Sequence, residues 1–335
     1  MLKCAIIGFG GLGKLHYKNL AELEKEGEAK AIAVCDVDEK QYTYSRIEIN
    51  LDVDLSIDSF GLPTYLSAQE MLLEQKPDFV ISATPTYIHQ DIAALALSLG
   101  VNVFSEKPMA LTIPSCDLML EASRASGKLL MIGQCLRYWP EYAYLKELID
   151  SRIYGEVERA EFIRYGSFPK WSWNNWFADH DKSGGSAIDL HVHDVDMINW
   201  LFGPPKSVSS QATHRLTPYD SISTLYSYPG KIVFASAEWG MPDTYPFHMG
   251  FLVRFEKATV SYNVGVLKIF EESGVSEPEL SKEDAYKSEI KDFIKCIKEG
   301  KKIEINPPED SKMAVQIALA EKESAAKGVP VCIQI

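Results

Sequence analysis

The chain opens with a short apolar run, residues 4–7, that breaks into Gly8-Phe9-Gly10-Gly11-Leu12-Gly13 and resumes as a helical pattern through Leu15, Leu20 and Leu23. No other segment restricts the possible folds as much. Gly-x-Gly-x-x-Gly between a strand and a helix permits a tight turn, lets backbone approach a pyrophosphate, and lets helix and strand pack closely. The helix N-terminus then faces the anion. A glycine-rich turn with no ligand reads the same way until a further acid is found, roughly twenty residues past the third glycine, where it can bind a ribose hydroxyl. Asp36 stands there. Strand, helix and acid in register predict a dinucleotide site built from Gly8, Gly10, Gly11, Leu12, Gly13 and Asp36. A carboxylate repels a 2'-phosphate and no arginine follows closely, so NAD is expected over NADP.

The rhythm set by that turn continues. Apolar runs at 31–35, 79–82, 101–104 and 129–132 are short and charge-free, as strands buried on both faces must be. Helical stretches at 69–74, 91–99 and 114–126 lie between them, the last two ending near Gly100 and Gly127. The pattern predicts an α/β fold: a Rossmann doubly wound parallel sheet over residues 1–134. The polar stretch 39–62 is longer than such a connection requires, and its structure is left open. Past residue 134 the texture changes. Pro140 opens a helix to residue 149, and β-forming runs follow at 157–165, 207–214, 221–228, 232–238 and 250–255. Amphipathic helices at 282–299 and 309–327 close the chain. Residues 135–335 are therefore expected to form an α+β domain with a large, mostly antiparallel sheet.

Composition narrows the function. A chain of 335 residues exceeds the span of one growing core, which fits two domains. Its formal net charge of -13 opposes a polyphosphate backbone, so nucleic acid is not an expected partner. Six cysteines without paired spacing read as reduced packing residues of a cytoplasmic protein. No apolar stretch reaches the eighteen or so residues of a bilayer span, so no membrane association is expected.

Two further segments carry chemistry. Ser105-Glu106-Lys107-Pro108 follows the 101–104 strand, at the carboxyl edge where doubly wound sheets bind ligands. A Lys beside a Glu is otherwise a solvated surface pair. The second segment is Asp189-Leu190-His191-Val192-His193, led by Gly184-Gly185 within a pattern, 187–203, that fits a helix ending at Gly203. On a helix, Asp189 and His193 share a face and His191 points away, which makes an oriented general base. On a strand, Asp189, His191 and His193 would share a face and resemble a metal site. Length, apolar spacing and the glycine stop favour the helix, and no metal is expected.

With Ala83-Thr84-Pro85 and His89 added, these motifs occur in the order found in the Gfo/Idh/MocA oxidoreductases, which the chain resembles over almost its whole length. The resemblance implies a Rossmann domain followed by a sheet domain that carries substrate and subunit contacts. It also implies a catalytic trio, Lys107, Asp189 and His193, facing a nicotinamide. Thr84, Pro85, His89, Glu106 and Lys107 join the glycines and Asp36 as cofactor contacts. Thr86 stands where the family often has Asn, and His191 where a small residue is common. Substrate contacts are expected from Lys107, Tyr165, Trp173, Trp176, Asp189 and His193. The Trp171–Trp176 stretch offers flat rings for a sugar face, or equally a loop packed against the sheet or a second subunit. Arg137-Tyr138-Trp139 could reach the cofactor or pack the domain junction, with packing favoured for Trp139.

The expected reaction is reversible NAD(P)-dependent oxidation of a secondary hydroxyl of a sugar, inositol or related polyol, by a homodimer or homotetramer assembled through the C-terminal sheet. Redox-neutral glycoside cleavage with retained NAD, and a non-catalytic NAD- and sugar-sensing regulator, are the alternatives that the family resemblance leaves open.

Overall fold

The computed structural model describes residues 1–42 and 61–334; most of the 39–62 stretch thus lies outside the described residues. The chain starts with β1 (Leu2–Ile7), α1 (Gly11–Lys25), β2 (Ala29–Cys35) and β3 (Thr64–Tyr65). Then come α2 (Ala68–Gln75), β4 (Phe79–Ser82), α3 (His89–Ser98), β5 (Asn102–Glu106), α4 (Ile113–Ser126) and β6 (Leu130–Gly133). The six strands form one sheet in the order β3-β2-β1-β4-β5-β6, every pair parallel. This is the doubly wound order whose reversal, between β1 and β4, marks the ligand crevice. The apolar runs become strands because helices cover them; all four residues of β4 and of β6 are buried. Local signals set the helix ends. Thr112 caps α4 through its hydroxyl, which accepts the Ser115 N–H at 3.3 Å, and left-handed Gly127 closes it.

The chain continues through α5 (Pro140–Ser151), β7 (Val157–Ser167), α6 (His180–Ser183), α7 (Ser186–Asp189) and α8 (Val192–Phe202). Strands β8 (Ser207–Thr213), β9 (Ser221–Tyr228), β10 (Lys231–Met241), β11 (His248–Phe255), β12 (Ala258–Asn263), β13 (Val266–Glu271) and β14 (Gly274–Ser276) follow. Helices α9 (Ala285–Glu299) and α10 (Pro308–Lys327) and strand β15 (Val331–Cys332) complete it. The second sheet has nine strands, β14-β13-β12-β11-β7-β10-β9-β8-β15. Only β7 with β10 is parallel. Strands β12 to β14 carry no apolar run of their own in the sequence and are specified by pairing.

Two compact units result. One comprises Met1–Cys135, Trp171–Trp176 and Asp284–Lys312; the other comprises Leu136–Lys170, Phe177–Glu283 and Met313–Ile335. Residues 284–312, expected in the second domain, pack with the first unit. Its α9 lays Phe293 against Phe79 and Phe104 of β4 and β5, with ring centroids 5.8 and 6.0 Å apart. In the second unit, Tyr142, Val195, Ile198, Ile317 and the inward residues Phe162, Phe251 and Val253 form one core beneath α5, α8 and α10. The other sheet face leaves Leu225, Ile232, Leu252 and Phe270 exposed.

Candidate active site

Three strand ends shape the glycine turn. Gly8 donates its N–H to the Cys35 carbonyl at 2.8 Å and is left-handed at φ +86°. A Cβ on it would come within 2.4 Å of the Ala83 carbonyl oxygen, and one on Gly13 within 2.0 Å of the Gly8 oxygen. Both glycines are therefore required by the protein itself. Gly10 differs: a Cβ there meets nothing within 4 Å. Its open side, at the N-terminus of α1, is where a dinucleotide's phosphates fit. Asp36 closes the crevice at the end of β2, its Oδ2 accepting the Phe9 N–H at 2.7 Å and its Oδ1 the Asp38 N–H at 2.9 Å. Burial pushes its carboxyl above the usual range while those amides and Lys14 pull it down. Each oxygen keeps a lone pair for a ribose hydroxyl. Tyr42, which carries no motif signal, accepts the Asp36 N–H at 2.6 Å and fixes this corner.

Thr84, Pro85, Glu106 and Lys107 lie at the same carboxyl edge, because β4 and β5 pair Ser82 with Ser105. His89 is buried and bridges two of these loops. Its Nε2 lies 2.8 Å from the Thr84 carbonyl oxygen and its Nδ1 2.8 Å from that of Pro108. Burial lowers its pKa, and the carbonyls act in the opposite sense, since only a protonated ring donates to both. Glu106 is not a solvated partner of Lys107. It ends β5 only 3% exposed, with His16 Nε2 2.6 Å from its Oε1. His16 sits three residues past Gly13 on α1, where its spacing alone carries no chemical signal. The Lys107–Pro108 peptide is cis.

Asp189 and His193 fall on α7 and α8 rather than on one helix, which corrects the expected helix over 187–203. The Leu190 and His191 amides both donate to the Ser186 carbonyl, at 3.0 and 2.8 Å, so the second bond spans five residues and widens the turn. The expected stop at Gly203 is present. His191 does not share a face with Asp189 in any metal-site arrangement; it is fully buried against Glu321 and Tyr226. Among the described residues, no three His, Cys, Asp or Glu side chains group to hold a metal. Arg137 makes a bidentate pair with Asp196, both bonds 2.8 Å, and Trp139 packs against the core of the same unit. Trp173 is 40% exposed, beside Asn174 and Asn175 in left-handed conformations. Tyr165 stands on the uncovered sheet face, opposite the face that Arg164 presents to Asp194 of α8.

A parallel sheet with a glycine cradle at its switch point, joined to a helix-backed antiparallel sheet, defines a two-domain dinucleotide-binding protein. Comparison with known sequences narrows this. Residues 2–134 match the profile of the oxidoreductase family with an NAD-binding Rossmann fold, and residues 142–261 match the GFO/IDH/MocA C-terminal domain. The chain belongs to the Gfo/Idh/MocA oxidoreductase family.

Among its relatives, scyllo-inositol 2-dehydrogenase (NAD(+)) of Bacillus subtilis is 26% identical over 349 residues, which span 100% of this chain and 97% of that protein. The 2,7-anhydro-N-acetylneuraminate hydratase of Mediterraneibacter gnavus is 34% identical over 124 residues, 37% of this chain and 33% of that protein. Across several curated relatives the match spans between 33% and 52% of their length. Among solved structures, levoglucosan dehydrogenase in complex with NADH and levoglucosan superposes with a TM-score of 0.84 at 18% identity, covering 100% of both chains. For myo-inositol 2-dehydrogenase from Lactobacillus plantarum the values are 0.80, 24% and 99% of both. These two likenesses establish the fold.

Proposed function

We propose that the protein is an NAD-dependent dehydrogenase that reversibly oxidises a secondary hydroxyl of an inositol, sugar or related polyol. The observation that carries this reading is the placement of Lys107 at the end of β5, on the same sheet edge as the cradle of Gly8 to Gly13 and Asp36. The full-length likeness to an inositol dehydrogenase supports the substrate class. When bound, NAD supplies the hydride acceptor. The chain's residues do the rest. Gly10, Gly11, Leu12 and the α1 N-terminus hold the pyrophosphate, and Asp36 takes the ribose and disfavours a 2'-phosphate. His193 takes the hydroxyl proton, Lys107 stabilises the negative charge that develops on the oxygen, and Asp189 orients and stabilises the imidazolium. Trp173 and Trp176 are proposed sugar contacts. Tyr165, on the uncovered sheet face, is assigned instead to association between copies through Leu225, Ile232, Leu252 and Phe270, an apolar patch that a second copy would cover.

NADH formation against inositols, aldoses, amino sugars and sugar acids tests the reading. His193→Ala and Lys107→Ala are expected to lower turnover by roughly 10² to 10⁴-fold while NAD binding stays within a few-fold. Near-normal turnover in both folded variants would sink the mechanism. The partial likeness to a hydratase favours one second reading, a redox-neutral conversion on retained NAD. Substrate consumption without net NADH would identify it. No helix among the described residues is long and apolar enough to cross a membrane.

A further inference from the structure

The wide turn between α7 and α8 is held from below. His191, in that turn, is 0% exposed, and its Nε2 lies 3.3 Å from Oε2 of Glu321 on α10 and 3.2 Å from the hydroxyl of Tyr226 on β9. Glu321 is also fully buried. Arg164 of β7 and Asp194 of α8, themselves paired at 2.9 Å, complete the charged groups around the imidazole. Burying such a group of charges is costly, and apolar residues of similar size would stabilise the unit as well or better. Where a buried polar contact persists against that cost, its best-attested use is to select one arrangement of the backbone over others.

The alternative arrangement is known from the sequence. A continuous helix over 187–203 satisfies the apolar spacing and its stop signal, and it would place Asp189 and His193 a regular turn apart. The observed turn differs because the His191 amide reaches five residues back to Ser186, which shifts the angular relation of everything after it. The His191 side chain runs from that same residue to α10 and β9.

We propose that the His191–Glu321–Tyr226 contact is a positioning device: it holds the α7–α8 turn in its wide form and so sets the orientation of Asp189 relative to His193. His191 is thus a positioning residue, not a catalytic one. The inference rests on the assignment of His193 as the base and Asp189 as its orienting partner.

The test replaces the polar link by packed apolar side chains, so that loss of fold is not the readout. In the double variant His191→Leu/Glu321→Met, the melting temperature is expected to equal or exceed that of the parent. Turnover with NAD and the best polyol of the panel should fall about 10²-fold, the loss typical of a misplaced catalytic group, with KM and NAD affinity within twofold. Hydrogen exchange at amides 186–192 should quicken at least tenfold, while amides 196–202 stay as in the parent. Glu321→Gln keeps an acceptor for the imidazole and should retain most of the turnover. A stable double variant with unchanged turnover and unchanged exchange at 186–192 overturns the proposal. If His193→Ala keeps its turnover, the functional reading fails instead, and the exchange measurement still decides whether His191 holds the turn.

Discussion

Among the three motif glycines, one faces outward and two face the protein, and substitution separates them. Gly13→Ala drives a Cβ to 2.0 Å from a backbone oxygen that cannot yield, so the variant is expected to lose both stability and NAD binding. Gly10→Ala meets open space at an ordinary φ of -71°, so it should melt within about 1 kcal/mol of the parent and lose NAD affinity alone. Thermal melting with and without NAD distinguishes the two; equal melting losses would mean that the cradle is misassigned. Asp36→Ala removes charge-assisted acceptors. NAD binding should weaken by about 1.5 to 3 kcal/mol and the NAD over NADP preference should shrink, as titration calorimetry with both nucleotides would show. Parent protein that bound NADP as tightly as NAD would contradict this placement of Asp36. At this scale the sequence was informative where spacing encodes geometry, as in the cradle and Asp36. It was silent about His16 and Glu321, whose partners Glu106 and His191 lie far along the chain and are brought close only by folding, and about Tyr42, whose hydroxyl meets the nearby Asp36 backbone with no motif to announce it.

Secondary elements show the same division. The strands of the first sheet were legible because burial on both faces demands unbroken apolar runs. Strands β12 to β14 were not, since each is short, polar residues interrupt their apolar ones, and only pairing with the strands beside them fixes their extent. The interrupted α7–α8 helix was illegible for another reason: apolar spacing reports which side is buried, not whether each amide finds the fourth or the fifth carbonyl behind it. Helix α9 offers a test of an element's energetics. Glu289 lies on its buried face between Tyr286 and Phe293, and neither carboxylate oxygen has a hydrogen-bond partner. Burial first, then the nearby Glu106 and Asp284 carboxylates, holds its pKa well above the usual range, with His16 facing the same cluster. A raised folded pKa means that stability is full below the unfolded value near 4.3 and is lost as pH rises toward the folded one. Glu289→Gln, a neutral mimic of the acid form, is therefore expected to raise the melting temperature increasingly above pH 5. Parallel melting curves against pH for the two proteins would show that Glu289 is ionised in the fold.

For the whole molecule, the uncovered face of the nine-stranded sheet leads to a direct expectation. Leu252→Lys with Phe270→Lys places two charges within the apolar patch and should shift the sedimentation coefficient from an assembly toward the monomer. The melting temperature should change little beyond the loss of mass action. A parent protein that sediments as a monomer at micromolar concentration removes the proposed interface. The course of the chain has a consequence in time. The cradle for NAD is complete in sequence by residue 134, yet α9, which covers Phe79 and Phe104 and brings Tyr286 over His16 at 6.2 Å, is the last layer of that unit to be made. On a ribosome it emerges roughly 150 residues later, on the order of ten to thirty seconds after β6. Throughout that interval the nascent first unit carries an unroofed aromatic floor, so strands β7 to β14 of the second sheet are all made before the cofactor's half of the protein is sealed.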